Sequence, residues 1–502
     1  MAKRKRDESA KASQSSTKPS KITKATTNSD ASSTTTHDSP AINLQVVTGS
    51  YERVLHGFSA TIPSSSLKSK DKETPSKSSA QFVDTFLFEA HGSAIRTLAL
   101  SPMPKKDSIE PPRVILASGS TDERINLYSL SAAPPAVNDQ YPSVPTLAGN
   151  KILENPKNRE LGSLLHHTAG ISALQFPSRS KLLACAEDNT ISVTKTRDWT
   201  VVSTIKVPHP KVQGRPSGDT APPGGSPSGV TDFAVHPSMK LMLSVGRGER
   251  CMRLWNLVTG KKAGVLNFSK EVLQSVKEGR WSTGEGRRIE WNSKGEEFAV
   301  AFEWGAVVFG VDCTPKCAVF PSPRSKLHQM KYIVRDPSSE DGEFLSISTE
   351  DGRVIFYSTQ KLRQPEDKSE STIPYAEPVA QLGGKPCGLP GRVKDFEILS
   401  LRDEPVGEED DFLIVTACSD GTVRVWKITG ADLTGKSSSN DRNNTNAPQI
   451  GKILGSYETG DRITCMKAFV MLPSEDPSTL EESEEETEKI ESDTESDGSD
   501  DE

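Results

Sequence analysis

Long apolar runs are missing from this chain. No stretch approaches the ~18 consecutive apolar residues that a membrane-spanning helix needs, so no membrane partner is expected. Large apolar side chains are scarce as well: hydrophobic residues make up 33% of the 502 and aromatics 6%. A packed domain of this length is normally richer, so polar tails and loops must dilute a smaller core. Cysteine is sparse, with seven residues at irregular spacing, an odd number that suits a reducing compartment rather than a disulfide framework. Cys313 and Cys317 stand close together, but no second pair follows at zinc-site spacing, so neither a metal nor any other cofactor is expected. The first residues, MAKRKRDES, have no apolar stretch of the secretory kind. Absent too are G-x-S-x-G, H-E-x-x-H and G-x-x-x-x-G-K-S/T, which would place a nucleophile, a catalytic zinc or a phosphate cradle.

What the chain does have is a repeat. DFLIVTACSDGTVRVWKITG, Asp411 to Gly430, reads as two short strands about an S-D-G turn, with Val423, Val425 and Ile428 alternating against Thr422, Arg424 and Lys427. The shape returns at Val114 to Leu130, Lys181 to Val193, Lys240 to Gly260 and Glu343 to Tyr357, and more weakly at Gln45 to Phe58 and Glu296 to Val311. Most of these seven hairpins are preceded by a third strand, among them Ile95 to Leu100, Ile171 to Phe176, Val230 to His236 and Val393 to Leu399, and followed by a fourth. Four strands repeated seven times predict an all-β, seven-bladed β-propeller. Leu44 to Gly49 begins the series as a second strand, whereas Arg462 to Val470 ends it as a first strand without a hairpin. The two termini are therefore expected to share one blade and close the ring, which removes the free sheet edges.

Both ends outside the ring are different material. Residues 1–43 are a basic arm and residues 471–502 an acidic tail, flanking a propeller over 44–470. Neither end has the apolar surface to offset the entropy of ordering, so disordered termini are expected. Lys3, Arg4, Lys5 and Arg6 form a basic run of the nuclear-localisation kind. Residues 475–502 hold fifteen acids against Lys489, net −14, so with the whole chain at −7 the remainder carries net +7. Ser483, Ser492, Thr494 and Ser499 each have an acid three residues on and suit phosphorylation by an acid-directed kinase. Long polar insertions fall between the strands, including Ser59 to Ala80 with four lysines, Ser131 to Leu161, Thr359 to Glu377 and Ala431 to Ile450. Their plainest reading is as spacers; recognition is the alternative.

The hairpins resemble WD repeats, in which a His, a Ser or Thr, an Asp and a Trp hydrogen-bond within one blade. Carried over, His91, Ser118, Asp122 and Tyr128 fill those places in the second blade, with Tyr for Trp. Asp188 and Asp351 take the Asp position of their blades, Trp255 the Trp position of the fourth, and Asp420 with Trp426 two positions in the seventh. Several networks are thus incomplete. His beside Asp and Ser also looks catalytic, but the spacing recurs blade after blade, as a fold constraint does and an active site does not. Paired carboxylates at Glu296–Glu297 and Glu409–Asp410 read as a solvated face. No enzyme is expected.

Within the WD-repeat proteins, the stretches VVTGSYERVLHGF, ILASGSTDERINLY, LHHTAGISALQF, FAVHPSMKLMLSVG and MRLWNLVTGKKA resemble the family of p21-activated kinase-interacting protein 1, whose yeast member is a "maintenance of killer" protein needed for the large ribosomal subunit. The resemblance implies a non-enzymatic scaffold of the nucleus and nucleolus that acts in assembly of the large (60S) subunit and in rRNA processing. Its partners would be preribosomal proteins and assembly factors, with contact to precursor rRNA. The alternative it implies is a negative regulator that binds a p21-activated kinase.

Overall fold

Side chains alternate across a strand, so a sheet packed on both sides must be apolar on both faces. Asp411–Cys418 shows this directly: all eight residues are buried. Leu413, Val415 and Ala417 pack with Leu44, Val46 and Phe58, whereas Phe412, Ile414 and Cys418 pack with Phe344, Val354 and Phe356. One strand thus serves two interfaces, one with each neighbouring sheet. Outermost strands have one solvated edge, and Val201–Lys206 is correspondingly exposed along most of its length.

The computed structural model describes residues 41–473 except 69–78, 105–111, 135–143, 146–150, 211–227, 280–281, 336–342, 366–371, 435–446 and single positions 388, 390, 403, 405, 406, 408 and 409. Four-stranded antiparallel units repeat seven times around a closed ring, a β-propeller. The innermost strands are, in ring order, Ile463–Val470, Ile95–Leu100, Ile171–Ser178, Val230–Val235, Arg288–Trp291, Leu327–Ile333 and Val393–Ser400. Each lies beside the next, and the last returns to the first.

The chain termini meet in the first blade. Ile463–Val470 pairs antiparallel with Ala41–Ser50, from Leu44 opposite Val470 to Ser50 opposite Ile463. The strand begins three residues before Leu44, and the seam continues past Val470: Met471 N–H donates to Asn43 O and Leu472 N–H to Ala132 O, both at 2.8 Å. Gly421, in the seventh blade's S-D-G turn, has φ +86°, and a Cβ there would lie 2.7 Å from Asp461 O at the neighbouring seam. Only glycine suits both demands.

Two expectations need correction. The second blade's outer strand is Arg159–Leu164, which begins inside the expected insertion of Ser131 to Leu161. The register shifts there and Gly162 takes φ +117°. The insertions between third and fourth strands are clasps rather than spacers, so far as they are described. Each folds over the preceding blade. In the second blade's insertion, Ile152 pairs in parallel with Asp84 of the first. Tyr375, where the sixth blade's insertion rejoins the sheet, pairs with Ala318 of the fifth. Gln449, from the seventh, bridges to Gln381 of the sixth. Leu67, from the first, is buried against the seventh, where its carbonyl accepts Lys427 Nζ at 2.6 Å. Ser79 and Ala80 N–H groups then donate to Leu454 O. Outer edges that would otherwise face solvent are thereby covered.

Candidate functional site

The predicted blade residues come first, because their chemistry decides whether they are a site. In the second blade His91 Nδ1 lies 3.1 Å from Asp122 Oδ2, and Nε2 lies 2.7 Å from Ser118 Oγ. Burial holds the imidazole below its ordinary pKa against the pull of Asp122. A neutral ring fits the geometry: Nδ1–H donates to the carboxylate while Nε2 accepts the Ser118 hydroxyl. Asp122 also accepts the Gly92 and Arg124 N–H groups. Tyr128 completes the set; burial pushes its hydroxyl up to about 12, with Glu160 adding to the rise.

The third blade holds a network of which only Asp188 was foreseen. His167 Nδ1 is 3.1 Å from Asp188 Oδ2, and the Nε2 atoms of His166 and His167 lie 2.8 and 2.9 Å from Ser192 Oγ. Ser192 has one proton, so it donates to one ring and accepts from the other. Burial, and then the neighbouring His167, lower His166 to about 4. For Asp188, burial opposes ionisation, but hydrogen bonds from His167, Thr190 and Thr168 hold it well below the usual carboxylate range. The signal was the histidine pair in LHHTAGI, upstream of Asp188 as His91 is of Asp122.

Elsewhere the set is partial. Trp255 Nε1–H donates to Ser244 at 2.8 Å, and Trp426 Nε1–H to Thr416 at 3.0 Å. Asp351 accepts the Arg353 guanidinium, at 2.9 Å from Nε, where other blades use histidine. Asp420 is exposed and accepts the Thr422 N–H at 3.0 Å. Its carboxylate lies against Gly391, as that of Asp122 lies near Gly92, but no histidine among the described residues covers it. Glu297 needs correction. It is buried in its strand and bound by Lys316 at 2.7 Å, rather than part of a solvated face.

One network was missed entirely. His56 Nε2 lies 2.8 Å from Asp84 Oδ1, which also accepts the hydroxyl of Tyr457. Tyr457 belongs to the seventh blade's outer strand and Asp84 to the first's, so this bond crosses the seam. These networks are distributed around the ring, each tied into one blade or its neighbour. They do not converge on a common point where a substrate could be attacked.

Convergence occurs in the channel, lined by the innermost strands. Lys331 and Lys467 each place Nζ 2.5 Å from an oxygen of Glu397. Burial opposes the ionised form of Glu397, but the two ammonium groups hold it below its ordinary range. Asp395 accepts Gln329 Nε2 at 3.4 Å and the Met466 N–H at 3.0 Å. Glu290 faces the same space, and burial pushes it up to about 7, with Lys331 opposing and Asp232 reinforcing.

Above this balanced interior, cations gather where the innermost strands of the fifth, seventh and first blades begin, around His328 of the sixth. They are Arg287, Arg288, Arg392, Lys394 and Arg462. His328, among them, is lowered to about 3 by burial first and then by Lys394, Arg392, Arg288 and Arg287. Carboxylates form a rim outside: Glu303 holds Arg287 at 3.2 Å and Lys326 at 2.8 Å, Glu350 holds Arg392 at 3.1 Å, and Glu187 holds Arg247 at 3.0 Å. The surface has aromatic members too, with Arg324 stacked 4.0 Å from the Trp304 ring centroid.

Lys3, Arg4, Lys5, Arg6, Ser483, Ser492, Thr494 and Ser499 lie outside the described residues. Among the described residues, no group of three or more His, Cys, Asp or Glu is placed to hold a metal ion, and Cys313 and Cys317 are free thiols.

A family model described as "WD domain, G-beta repeat" matches residues 158–194 and 398–427. Across most of its length the chain is similar to Protein MAK11 of Saccharomyces cerevisiae, at 26% identity over 84% of this chain and 82% of the relative. It is similar to "p21-activated protein kinase-interacting protein 1-like" of Danio rerio at 23% over 88% and 84%. Shk1 kinase-binding protein 15 of Schizosaccharomyces pombe is 25% identical over 90% and 92%. The relatives are those towards which the sequence motifs pointed.

Proposed function

We propose that this WD-repeat propeller is a non-enzymatic scaffold that binds preribosomal proteins or assembly factors of the large subunit, in the nucleus and nucleolus. The observation that carries the scaffold is the placement of its reactive-looking side chains. The His, Ser and Asp groups are consumed in hydrogen bonds that hold blades together, leaving a rigid ring with charged surfaces. The ribosomal part rests on the resemblance of the repeat sequences, strengthened by similarity to Protein MAK11 over most of both chains. A basic arm, a propeller basic on balance and an acidic tail suit a particle of RNA and basic proteins.

A second reading has its own support. Relatives from Danio rerio and Schizosaccharomyces pombe are named for binding kinases. A protein kinase is accordingly the alternative partner, and the propeller would regulate it by occupying its surface.

Gradient fractionation of the tagged protein separates the two. Sedimentation with precursor rRNA, weakening as salt rises, supports assembly. A protein that stays at the top of the gradient at low salt, is cytoplasmic by microscopy and co-purifies with a kinase would replace the first reading with the second.

A further inference from the structure

The cations at the channel mouth are not fully neutralised by the described residues. Arg287 and Arg392 have carboxylate partners on the rim. Lys394 has no hydrogen bond or ion pair among the described residues, and the Arg462 guanidinium lies 5.5 Å from the Tyr51 ring centroid rather than on an acid. Burial first, then Arg392 and Arg462, hold Lys394 below its ordinary range. His328 Nε2 is buried in the same cluster without a hydrogen-bond partner among the described residues. Like charges brought together at this cost normally mark a place where an anion completes the set.

We propose that the mouth of the channel, between the fifth, sixth, seventh and first blades, receives a short acidic peptide stretch of a partner protein, with Lys394 and Arg462 as the cations it neutralises. The rim selects the class of ligand. Glu303 and Glu350 stand outside Arg287 and Arg392, and Glu52 crowds Asp461, whose carboxyl is raised by burial first and then by Glu52. A nucleic-acid backbone carries charge at every step and would be repelled as it crossed this rim. A peptide needs only one or two carboxylates at the centre, where the guanidinium groups bind them with charge-assisted hydrogen bonds. Tyr51, which is exposed, offers flat apolar surface for a flanking residue.

This assignment rests on the scaffold reading but is independent of the ribosomal one. The test is fluorescence anisotropy of a labelled six-residue peptide carrying two adjacent glutamates between neutral Gly and Ser residues, with the full-length protein at low salt. Saturable binding that weakens with salt is expected, and Lys394→Gln or Arg462→Gln should each weaken it about tenfold, the loss of one charged hydrogen bond. Lys240→Gln, on the opposite face, should leave it unchanged, and thermal melting shows that each variant is folded. Unchanged binding in both mouth variants overturns the proposal. So does single-stranded oligouridylate displacing the peptide at lower concentration than the unlabelled peptide does. Binding that appears only in a chain ending at Pro473 assigns the mouth to the protein's own acidic tail and overturns the partner. Loss of gradient co-sedimentation with peptide binding intact would sink the ribosomal reading alone.

Discussion

Asp84→Ala should weaken the seam that closes the ring, by an amount the structure allows one to work out. The carboxylate is buried and binds His56 Nε2 at 2.8 Å and the Tyr457 hydroxyl across the first and seventh blades. Alanine leaves the buried His56 ring and the half-buried Tyr457 hydroxyl without their acceptor. Each orphan costs about 1–3 kcal/mol, so the variant should lose about 2–6 kcal/mol. Tyr457→Phe removes the hydroxyl but leaves Asp84 on His56, and should lose about 1 kcal/mol, the net value of an ordinary hydrogen bond. With an unfolding entropy of about 2.1 cal/mol/K per residue over roughly 430 residues, 1 kcal/mol is about 1 °C. Calorimetry should therefore show a fall of about 2–7 °C for Asp84→Ala and about 1 °C for Tyr457→Phe. The double variant should fall less than the sum of the two, because both remove the same bond. An unchanged melting temperature for Asp84→Ala, or a larger loss for Tyr457→Phe, would refute this account of the seam.

Other consequences are as direct. Asp122→Ala should cost about 1–3 kcal/mol by stripping His91 of its acceptor, and Asp420→Ala, at an exposed turn, about 0.5 kcal/mol in urea unfolding; the reverse order would contradict the assigned burial. Glu397→Gln leaves Lys331 and Lys467 facing each other without their shared counter-charge and should cost about 3–5 kcal/mol, read by urea denaturation. A loss below 1 kcal/mol would mean that the channel does not hold that cluster. Part of the pH dependence follows from His166, whose folded value of about 4 lies below its ordinary 6.5. The unfolded chain binds more protons between these values, so stability should fall as pH drops from 6.5 to 4. His166→Gln should make the fall of melting temperature with pH in that window shallower, leaving the shares of His328 and His91, and a variant with an unchanged slope would rule His166 out. Chains ending at Pro473 should fold, whereas chains ending at Gly460 lack the first blade's inner strand and should not give a cooperative melt.

Strand placement was legible because it is a local property. Alternation at i and i+2 in stretches such as Phe412 to Ala417, and turn residues such as Ser419 to Gly421, are written within a few neighbours, and seven copies made the propeller inescapable. The unpaired first strand near Val470 even announced where the ring should close. His91, Ser118, Asp122 and Tyr128 were readable because one blade assembles them from a single contiguous segment. Burial at a given turn was not readable: Asp122 and Asp420 occupy equivalent positions, yet only Asp122 has a histidine to turn towards. The clasps, the Asp84–Tyr457 bond and the cations at the channel mouth were decided by tertiary structure alone. Arg288, Lys394 and Arg462 lie far apart in the chain, and no local pattern brings them together. They meet because ring closure points the start of every innermost strand at one axis, so that charges scattered over the sequence add up at a single opening.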